Sequence, residues 1–349
     1  MIACEQKDNN YVSGLYLWAR ENSVPLTLTM ELTPLCNFNC LMCYVRLTKT
    51  QADEQGNMLS VQEWLEIAEQ AKKSGTLNIT ITGGEPLMYP GFWELYAKLN
   101  KMGFLISILS NGSLIDSEAI NNFRTYGMPS MVKMTIYGAS DETYQKVCGS
   151  ADGFSRLSDA IDLFQEEKVP VILSSTVVRE NASDLKLMYE FAELKGIPLK
   201  HTVSVLKSSR VDNYSVEKSR FAFADFSDEL SLEYLEKSKF KWTDDPFGFC
   251  ASKRNSLFVT WNGHFQLCSF LTEPFIQYNG NFEGNFRQLI TLIDKINNPS
   301  ECSECEWREF CQRCPAILCS ESGHPERINK DFCKMAKRLY EIYKLKKGI

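Results

Sequence analysis

A regular alternation of strand-like and helix-like segments between residues 24 and 206 limits the fold of this chain more than any other feature. Short apolar runs rich in Val, Ile and Thr are separated by amphipathic stretches, several of which open on Ser, Asp or Pro and close on Gly, as helices do. This pattern predicts repeated β-α units around a parallel sheet. The six predicted strands are PLTLTMEL, LNITITGG, FLISILSNG, MVKMTIYG, PVILSSTVV and LKHTVSV.

Six units are fewer than the eight of a complete barrel, so the pattern predicts an α/β fold that is either an open, partial (β/α)6 barrel or a doubly wound sheet. The helix-like segments between the strands are SVQEWLEIAEQAKKSG, PGFWELYAKLNKMG, SEAINNFRTYG, the stretch through SRLSDAIDLFQEEK, and SDLKLMYEFAELKG.

Beyond residue 206 the alternation stops. Residues 207–245 are charged and polar and are typical of a linker with a helix inside it. From Asp245 onward, short β-like pieces and most of the remaining cysteines indicate a second, smaller domain. Such a domain is expected to need bound metal ions or clusters for its stability. The predicted organisation is an N-terminal segment (1–24), a partial barrel (25–206), the linker (207–245), and a cysteine-rich domain with a β-hairpin, short helices and a C-terminal helix (246–349).

Composition excludes several classes of protein. The net charge of −6 and the pI near 5.4 argue against nucleic-acid binding, because proteins that bind nucleic acids usually carry a basic surface. The N-terminus lacks the features of a signal peptide, and no apolar run is long enough to cross a bilayer, so we expect a cytoplasmic protein without membrane contact. In that reducing compartment, thirteen cysteines are expected to be metal ligands or catalytic groups rather than disulfides.

The loop TPLCNFNCLMCYVR follows the first predicted strand and carries Cys36, Cys40 and Cys43 in a C-x3-C-x2-C spacing. Structural zinc sites usually combine two pairs of ligands, whereas here three thiols share one loop and the next cysteine is Cys148. Thiolate-rich loops suit zinc or iron–sulfur clusters. The count of three favours a cluster with one open iron.

Two further motifs follow the next two predicted strands: ITGGEP after the second and SNGS after the third. Ligands of parallel-sheet proteins bind at the carboxyl ends of the strands. Each motif alone is also explained as a tight turn. In this order, the three motifs resemble those of the radical S-adenosylmethionine (SAM) enzymes over about residues 25 to 206.

The resemblance implies that Cys36, Cys40 and Cys43 hold a [4Fe–4S] cluster whose open iron is chelated by the amino and carboxylate groups of SAM. The glycines of GGEP are expected to let the backbone approach the ligand closely. The position before the third cysteine is usually aromatic in this family and is Met42 here. The residues that the resemblance places around SAM are Met42, Tyr44, Gly83, Gly84, Glu85, Pro86, Ser110, Asn111 and Thr135.

The C-terminal cysteines resemble the SPASM extension of many radical SAM enzymes, with Cys250, Gly263 and Cys268 at the expected spacing. The resemblance implies two auxiliary [4Fe–4S] clusters. By position, Cys250, Cys268 and Cys314 serve the first, and Cys302, Cys305, Cys311 and Cys333 the second. The gap between Cys311 and Cys314 is one residue shorter than the family pattern. The fourth site of the first cluster is open, or is filled by Cys319 or by another residue.

By resemblance, the chain cleaves SAM to a 5′-deoxyadenosyl radical and abstracts a hydrogen atom from a substrate. A ribosomally made peptide is the leading substrate, with a thioether or carbon–carbon crosslink as the oxidative outcome. Ser269 stands where anaerobic sulfatase maturases have an acidic residue, which argues against that assignment. The alternatives are the same chemistry on a small metabolite or cofactor precursor, and a non-catalytic iron–sulfur electron carrier. The GGEP and SNG motifs speak against a carrier.

The expected partners are a low-potential electron donor, such as flavodoxin or ferredoxin, and a separate leader-peptide-binding protein. Because only about two dozen residues precede the first strand, recognition of a leader peptide is expected to need such a separate protein or another surface of the chain. No general acid or base emerges from the sequence. His201, His264 and His324 have no metal-binding spacing among themselves, and His201 is interpreted as a structural histidine rather than a residue facing the active site.

Overall fold

The computed structural model describes most of the chain. The helix predicted within the linker falls largely outside the described residues, as does Cys4. The described residues are 10–208, 210, 216–221, 243–248, 250–311 and 314–347.

Six parallel strands form the centre of the sheet, and each corresponds to one of the predicted strands. They lie side by side in the order β6-β5-β4-β3-β2-β1, so every strand pairs with the next strand along the chain. A doubly wound sheet reverses its strand order at a switch point. The sequential order therefore confirms the partial barrel over that alternative. The strands are β1 (Thr27–Glu31), β2 (Asn78–Thr82), β3 (Leu105–Ser110), β4 (Met131–Thr135), β5 (Val171–Thr176) and β6 (Leu199–Thr202).

Helices connect and flank these strands. Local sequence sets several of their starts: the Ser60 and Asp116 side chains accept hydrogen bonds from the backbone N–H groups three residues later, as N-caps do. The helices are α1 (Asn10–Asn22), α2 (Lys49–Gln55), α3 (Val61–Lys73), α4 (Phe92–Lys101), α5 (Ser117–Tyr126), α6 (Asp141–Cys148), α7 (Gly153–Glu166), α8 (Leu185–Leu194), α9 (Phe282–Ile293), α10 (Pro315–Ser322) and α11 (Lys330–Lys347). The five helices predicted between the strands correspond to α3, α4, α5, α7 and α8.

The two faces of the sheet differ in polarity. One face is apolar and packs in a single core with helix residues such as Trp64 of α3 and Phe164 of α7. The other is half-buried and carries hydroxyl and amine groups; we refer to it as the polar face. The apolar face includes Leu28, Met30, Ile79, Ile81, Ile106, Ile108, Val132, Met134 and Leu173, each at most 2% exposed. The polar face includes Thr29, Thr80, Ser107, Lys133 and Ser174.

Three further strands extend the same sheet beyond β1. Strand β7 (Ser256–Val259) is parallel to β1, and β8 (His264–Gln266) and β9 (Ile276–Gln277) follow in antiparallel order. The two β-like pieces predicted near residues 255–270 are thus β7 and β8. The predicted boundary at residue 246 does not correspond to a break in the sheet. That residues 246–349 form a domain of their own stays a prediction.

No helix within the described ranges combines the length and the apolar character that a membrane span requires.

Candidate active site

The loop that follows β1 carries Cys36, Cys40 and Cys43, none of which is joined in a disulfide. The Phe38 N–H donates to Cys36 Sγ over 3.4 Å, and the Arg46 N–H donates to Cys43 Sγ over 3.3 Å. Such N–H···S bonds favour the thiolate form. Burial raises the pKa of Cys36 to about 12, with smaller contributions from Glu85 and from the neighbouring thiols, and burial together with Cys40 raises the pKa of Cys43. A bound cationic cluster would offset this penalty, so the donor set fits a metal cluster.

The middle of this loop is held by the C-terminal end of α6. The Asn39 N–H donates to the Cys148 carbonyl over 2.8 Å, and the Leu41 N–H donates to the Val147 carbonyl over 2.9 Å. The Cys148 thiol is fully buried and in hydrogen-bond contact with Cys40. This contact and burial raise the pKa of Cys40 well above its ordinary value. Cys148 is therefore a core residue that touches the predicted cluster loop.

The glycines of GGEP pack against the beginning of the cysteine loop. The Gly84 N–H donates to the Thr33 carbonyl over 2.7 Å. A Cβ atom at Gly83 would lie 2.7 Å from the Thr33 oxygen, and one at Gly84 would lie 2.3 Å from the Leu35 oxygen. The structure thus explains the two glycines differently from the sequence analysis: the backbone of the cysteine loop leaves no space for a side chain at either position. Close approach to SAM stays a prediction.

Glu85 is fully buried and joins the ends of β2 and β3. The Ser110 hydroxyl lies 3.0 Å from both of its carboxylate oxygens and shares its single hydrogen between them, and one oxygen accepts the Asn111 N–H at 2.9 Å. The carboxylate also caps the short turn that starts at Pro86, by accepting the Leu87 N–H. Burial raises the pKa of Glu85 to about 7. The side chain thereby fixes SNGS relative to GGEP.

A polar network connects SNGS to the cysteine loop. Asn111 Nδ2 donates to Asn37 Oδ1 over 3.0 Å and approaches Cys36 Sγ at 3.7 Å, while Asn37 Nδ2 donates to Ser113 Oγ over 2.8 Å. Ser110, Asn111 and Ser113 are buried. Sequence reasoning missed Asn37, although its position next to Cys36 was a usable signal.

The other residues assigned to SAM by resemblance occupy different environments. Met42 is buried in the core. Thr135 is half-buried at the end of β4, paired with Ser174 on the polar face. Tyr44 stacks on Phe270, with ring centroids 4.2 Å apart, and its hydroxyl lies 3.0 Å from Ser269 Oγ. Tyr44 thus links the cysteine loop to the segment that follows Cys268. Contacts of these residues with SAM stay predictions.

A buried ion pair, also missed from sequence, closes this region beneath the loop. Arg210 Nη1 and Nη2 donate to the two carboxylate oxygens of Glu31 over 2.8 and 3.0 Å, and both side chains are under 10% exposed. Ser208 Oγ donates to the Tyr44 carbonyl over 3.0 Å. The start of the predicted linker is therefore packed against the end of β1 and the cysteine loop.

Cys250, Cys268 and Cys314 lie near one another, and their role as ligands of one cluster stays a prediction. Burial raises the pKa of Cys268 to about 12, and the nearby Cys314 and Cys250 thiols act in the same direction. The backbone N–H groups of Phe270 and Leu271 act in the opposite direction by hydrogen bonding to the sulfur. This N–H···S arrangement matches the one around Cys36 and Cys43, so the three thiols fit a second cluster.

The remaining C-terminal cysteines form a separate group. Cys302, Cys311 and Cys333 line one cavity, together with Pro299 and Phe332. Burial raises the pKa of Cys333, and Cys305 adds to the effect. The structure brings together the same four cysteines that the resemblance assigns to the second auxiliary cluster. Their coordination of iron stays a prediction.

Cys319 lies on α10 and is buried. Its sulfur contacts Thr272 Oγ1 at 3.8 Å and the Glu273 carbonyl at 4.0 Å. These partners belong to the segment after β8, so Cys319 has a local packing role; that it completes a cluster stays a prediction. Within the described residues, no three His, Cys, Asp or Glu side chains are close enough to share a single metal ion.

His201 is oriented by the register of the sheet. It pairs with Ser175, which belongs to the apolar face, and its Nδ1 lies 2.7 Å from the Tyr189 hydroxyl of α8. The side chain therefore points away from the polar face, in agreement with the structural role expected from sequence.

Comparison with known proteins places this geometry in a family context. Residues 30–192 match the model of the Radical SAM superfamily. The sporulation killing factor maturation protein SkfB of Bacillus subtilis is 26% identical over 234 residues, which cover 67% of this chain and 53% of SkfB. The match therefore spans about half the length of that relative.

A second relative matches over nearly its whole length. The AdoMet-dependent heme synthase of Methanosarcina barkeri is 23% identical over 339 residues, which cover 86% of this chain and 94% of that protein. Among solved structures, SuiB of Streptococcus suis bound to S-adenosylmethionine has the same fold, with a TM-score of 0.66 and 17% identity over 94% of this chain and 84% of SuiB. SuiB bound to its precursor peptide SuiA gives a TM-score of 0.65.

Proposed function

We propose that this chain, whose residues 30–192 match the model of the Radical SAM superfamily, is a radical SAM enzyme that removes a hydrogen atom from a peptide substrate. The observation that carries this proposal is the arrangement of three thiols on one loop. The loop is docked against GGEP through Gly84 and against SNGS through the pair Asn37 and Asn111. An electron carrier would need the thiols alone.

In this proposal, Cys36, Cys40 and Cys43 hold the [4Fe–4S] cluster, and Glu85 and Asn111 keep the neighbouring loops at fixed distances from it. When bound, the cluster supplies the electron that cleaves the sulfonium of SAM. The chain itself positions SAM and the substrate and excludes water from the site. The polar face offers hydroxyl groups of β1 to β5 to a bound substrate, and the buried residues around Cys36 shield the reacting end of the sheet.

A peptide is favoured as the substrate because SkfB is named as a maturation protein and SuiB binds a precursor peptide. The proposed product contains a thioether or carbon–carbon crosslink, which requires removal of two hydrogen atoms. The two groups of C-terminal cysteines are proposed to hold auxiliary [4Fe–4S] clusters that accept the electron released in this oxidation. Flavodoxin or ferredoxin is the proposed donor for SAM cleavage, and a separate protein is proposed to bind the leader peptide.

A second candidate is the same radical chemistry on a cofactor precursor. The match to the heme synthase favours it, because that match covers 94% of the relative, against 53% for SkfB.

The two candidates are separated by substrate. The holoenzyme, reconstituted without oxygen, is incubated with SAM, dithionite and the peptide encoded by a short reading frame next to its gene. The peptide proposal predicts a product that has lost two hydrogen atoms, detected by mass spectrometry, and an equivalent of 5′-deoxyadenosine. Formation of 5′-deoxyadenosine with an unmodified peptide, together with turnover of a haem precursor, would favour the second candidate instead.

A further inference from the structure

Two lysines lie on the polar face of the sheet, on strands that flank β5. Lys133 of β4 pairs with Ile172 of β5, and Lys200 of β6 pairs with Ser174 of β5. Ile172 and Ser174 are two residues apart and therefore point to the same side of the sheet. Both lysines consequently lie on the polar face, with β5 between them.

The position of Lys133 is energetically unfavourable in the absence of a ligand, whereas Lys200 is exposed to solvent. Lys133 is half-buried, and burial lowers its pKa, with the positive charge of Lys200 adding to the effect. The two like charges stand on either side of β5, and partial burial of an ammonium group without a partner is costly. In the part of the chain that the structure describes, neither lysine belongs to any of the ion pairs formed by the other lysines and arginines.

On the described strands β1 to β6, no acidic side chain is free to neutralise the lysines. Glu31 is the sole acidic residue of strands β1 to β6, and Arg210 engages both of its carboxylate oxygens. Lys200 pairs directly with Ser174, and Thr135 and Thr176 lie nearby on the same face, whereas the register partners of Lys133 are the apolar residues Leu109 and Ile172. A pair of ammonium groups with neighbouring hydroxyl donors matches the hydrogen-bonding needs of a carboxylate. In a chain of net charge −6, a local positive pair also attracts anions to this face.

We propose that Lys133 and Lys200 form a subsite that binds a carboxylate group of the substrate on the polar face. This inference rests on the proposed function and deepens it, since it makes an acidic peptide, or another substrate with a carboxylate, the preferred class. Lys133 precedes Thr135 by two residues, about 7 Å along the strand. The subsite therefore lies deeper along β4 than the end of the strand, where the resemblance places SAM.

The test compares Lys133→Met, Lys200→Met and the double variant with Lys186→Met. Lys186 lies on α8 and its side chain is 86% exposed, which makes it a matched control. The probes are acetyl-tetraglutamate amide and acetyl-tetraglutamine amide, and their binding to reconstituted holoenzyme saturated with SAM is measured by calorimetry without oxygen. The wild type is expected to prefer the glutamate peptide, and each site variant is expected to bind it about tenfold more weakly. Lys186→Met is expected to behave as the wild type.

Two further readouts separate this subsite from other roles. The melting temperature of Lys133→Met is expected to equal or exceed that of the wild type, because an unpaired, half-buried charge is removed. A lower melting temperature would mean that the amine has a structural partner, and would overturn the proposal. Equal binding of both peptides by the wild type would also overturn it.

SAM also carries a carboxylate, so its affinity is measured in the same variants. An unchanged SAM affinity supports the substrate subsite, whereas a loss of SAM affinity with unchanged peptide binding would assign the lysines to SAM and overturn the proposal. Release of 5′-deoxyadenosine by the wild type is recorded separately. If no 5′-deoxyadenosine were released, the proposed function would be contradicted. Failure of the proposed function is thus distinguishable from failure of the subsite.

Discussion

At position 84 the methyl group of an alanine would be enough to prevent the cysteine loop from packing against GGEP. A Cβ atom there would stand 2.3 Å from the Leu35 oxygen and 3.0 Å from Cys36 Cβ, and the obstructing oxygen belongs to the backbone. We expect Gly84→Ala to displace the loop, to destabilise the protein by about 1–3 kcal/mol, and to lower the iron bound after reconstitution. Iron analysis and thermal unfolding measure both effects.

Gly14→Ala is the matched control for this variant. Gly14 lies within α1 and a Cβ atom there would have no heavy atom within 4 Å. Since alanine is the better helix former, this variant is expected to retain full iron content and equal or greater stability. Normal iron content in Gly84→Ala would refute the steric role assigned to the glycine.

Glu85 makes stability depend on pH in a definite direction. Its pKa is raised by burial to about 7 in the folded protein, from 4.5 ordinarily, so the folded state binds the proton more tightly than the unfolded state. The stabilisation from this proton is complete below the unfolded pKa and is lost as pH rises through the folded pKa. Relative to Glu85→Gln, the wild type is expected to lose about 3 kcal/mol of unfolding free energy between about pH 4 and about pH 8.

Urea unfolding of the reduced wild type and of Glu85→Gln over this range measures the difference. The Gln side chain keeps one oxygen acceptor for Ser110 and Asn111 and has no proton to release, which makes it the matched comparison. Parallel pH profiles of the two proteins would contradict the raised pKa.

Sequence predicts the chemistry of single residues better than their contacts. The spacing of Cys36, Cys40 and Cys43 predicts a cluster loop, because ligand spacing is a local property. The contact between Cys40 and Cys148 depends on residues far apart in the chain, and so does the steric requirement for glycine at position 84. The same is true of Asn37, whose two hydrogen-bond partners, Asn111 and Ser113, are more than seventy residues away.

Among the elements, the cysteine loop and the segment after β8 are connected by one aromatic residue. Tyr44 stacks on Phe270 and its hydroxyl bonds with Ser269, and burial raises the pKa of Tyr44 to about 12, so the phenol stays neutral. A double-mutant cycle of Tyr44→Phe and Ser269→Ala is expected to give a coupling energy of about 1 kcal/mol. Urea unfolding of the four proteins measures it.

Tyr44→Phe keeps the stack on Phe270 and removes the hydroxyl alone, so the cycle isolates the hydrogen bond. Tyr44→Leu removes the stack as well, and its further loss of stability is expected to be about 0.5–1.5 kcal/mol. Additive single effects in the cycle would show that the hydroxyl contact does not link the two segments.

Helix α6 shows which elements escape sequence analysis. It has eight residues (Asp141–Cys148), four of them buried, and its end accepts the backbone of the cysteine loop. A helix this short is marginal on its own and depends on tertiary contacts, so its periodicity is weak. The strands were predicted more reliably, since each is a compact apolar run ended by turn residues.

In the whole molecule, the nine-stranded sheet joins regions that the sequence separates. Thr27 of β1 pairs with Ser256 of β7, and no local pattern marks a parallel pairing over so long a separation. The repeated β-α units predicted the six parallel strands but left two strand orders open, and the strand pairings of the structure decide for the sequential one. The continuation through β7 was not predictable, which is why the sequence indicated two independent units.

The two groups of C-terminal cysteines predict separable losses of iron. Cys268→Ser removes a thiol from the group that includes Cys250 and Cys314, and Cys333→Ser removes one from the group around Cys305. If each group of cysteines holds one [4Fe–4S] cluster, each variant is expected to bind about four fewer iron atoms per chain than the wild type. Iron and sulfide analysis after reconstitution measures this.

Cys148→Ser serves as the control for these variants, since Cys148 touches the first loop but is not among the proposed ligands. It is expected to retain the iron of both auxiliary groups. An identical loss in Cys268→Ser and Cys333→Ser that exceeds one cluster would contradict two independent sites.

The release of 5′-deoxyadenosine from SAM tests the central claim most directly. The holoenzyme is reconstituted without oxygen and incubated with SAM and dithionite, beside a variant in which Cys36, Cys40 and Cys43 are all changed to Ala. The wild type is expected to release 5′-deoxyadenosine and methionine, and the variant is expected to release neither while keeping the iron of its C-terminal groups. A wild type that holds its full complement of iron and still releases no 5′-deoxyadenosine would contradict this account.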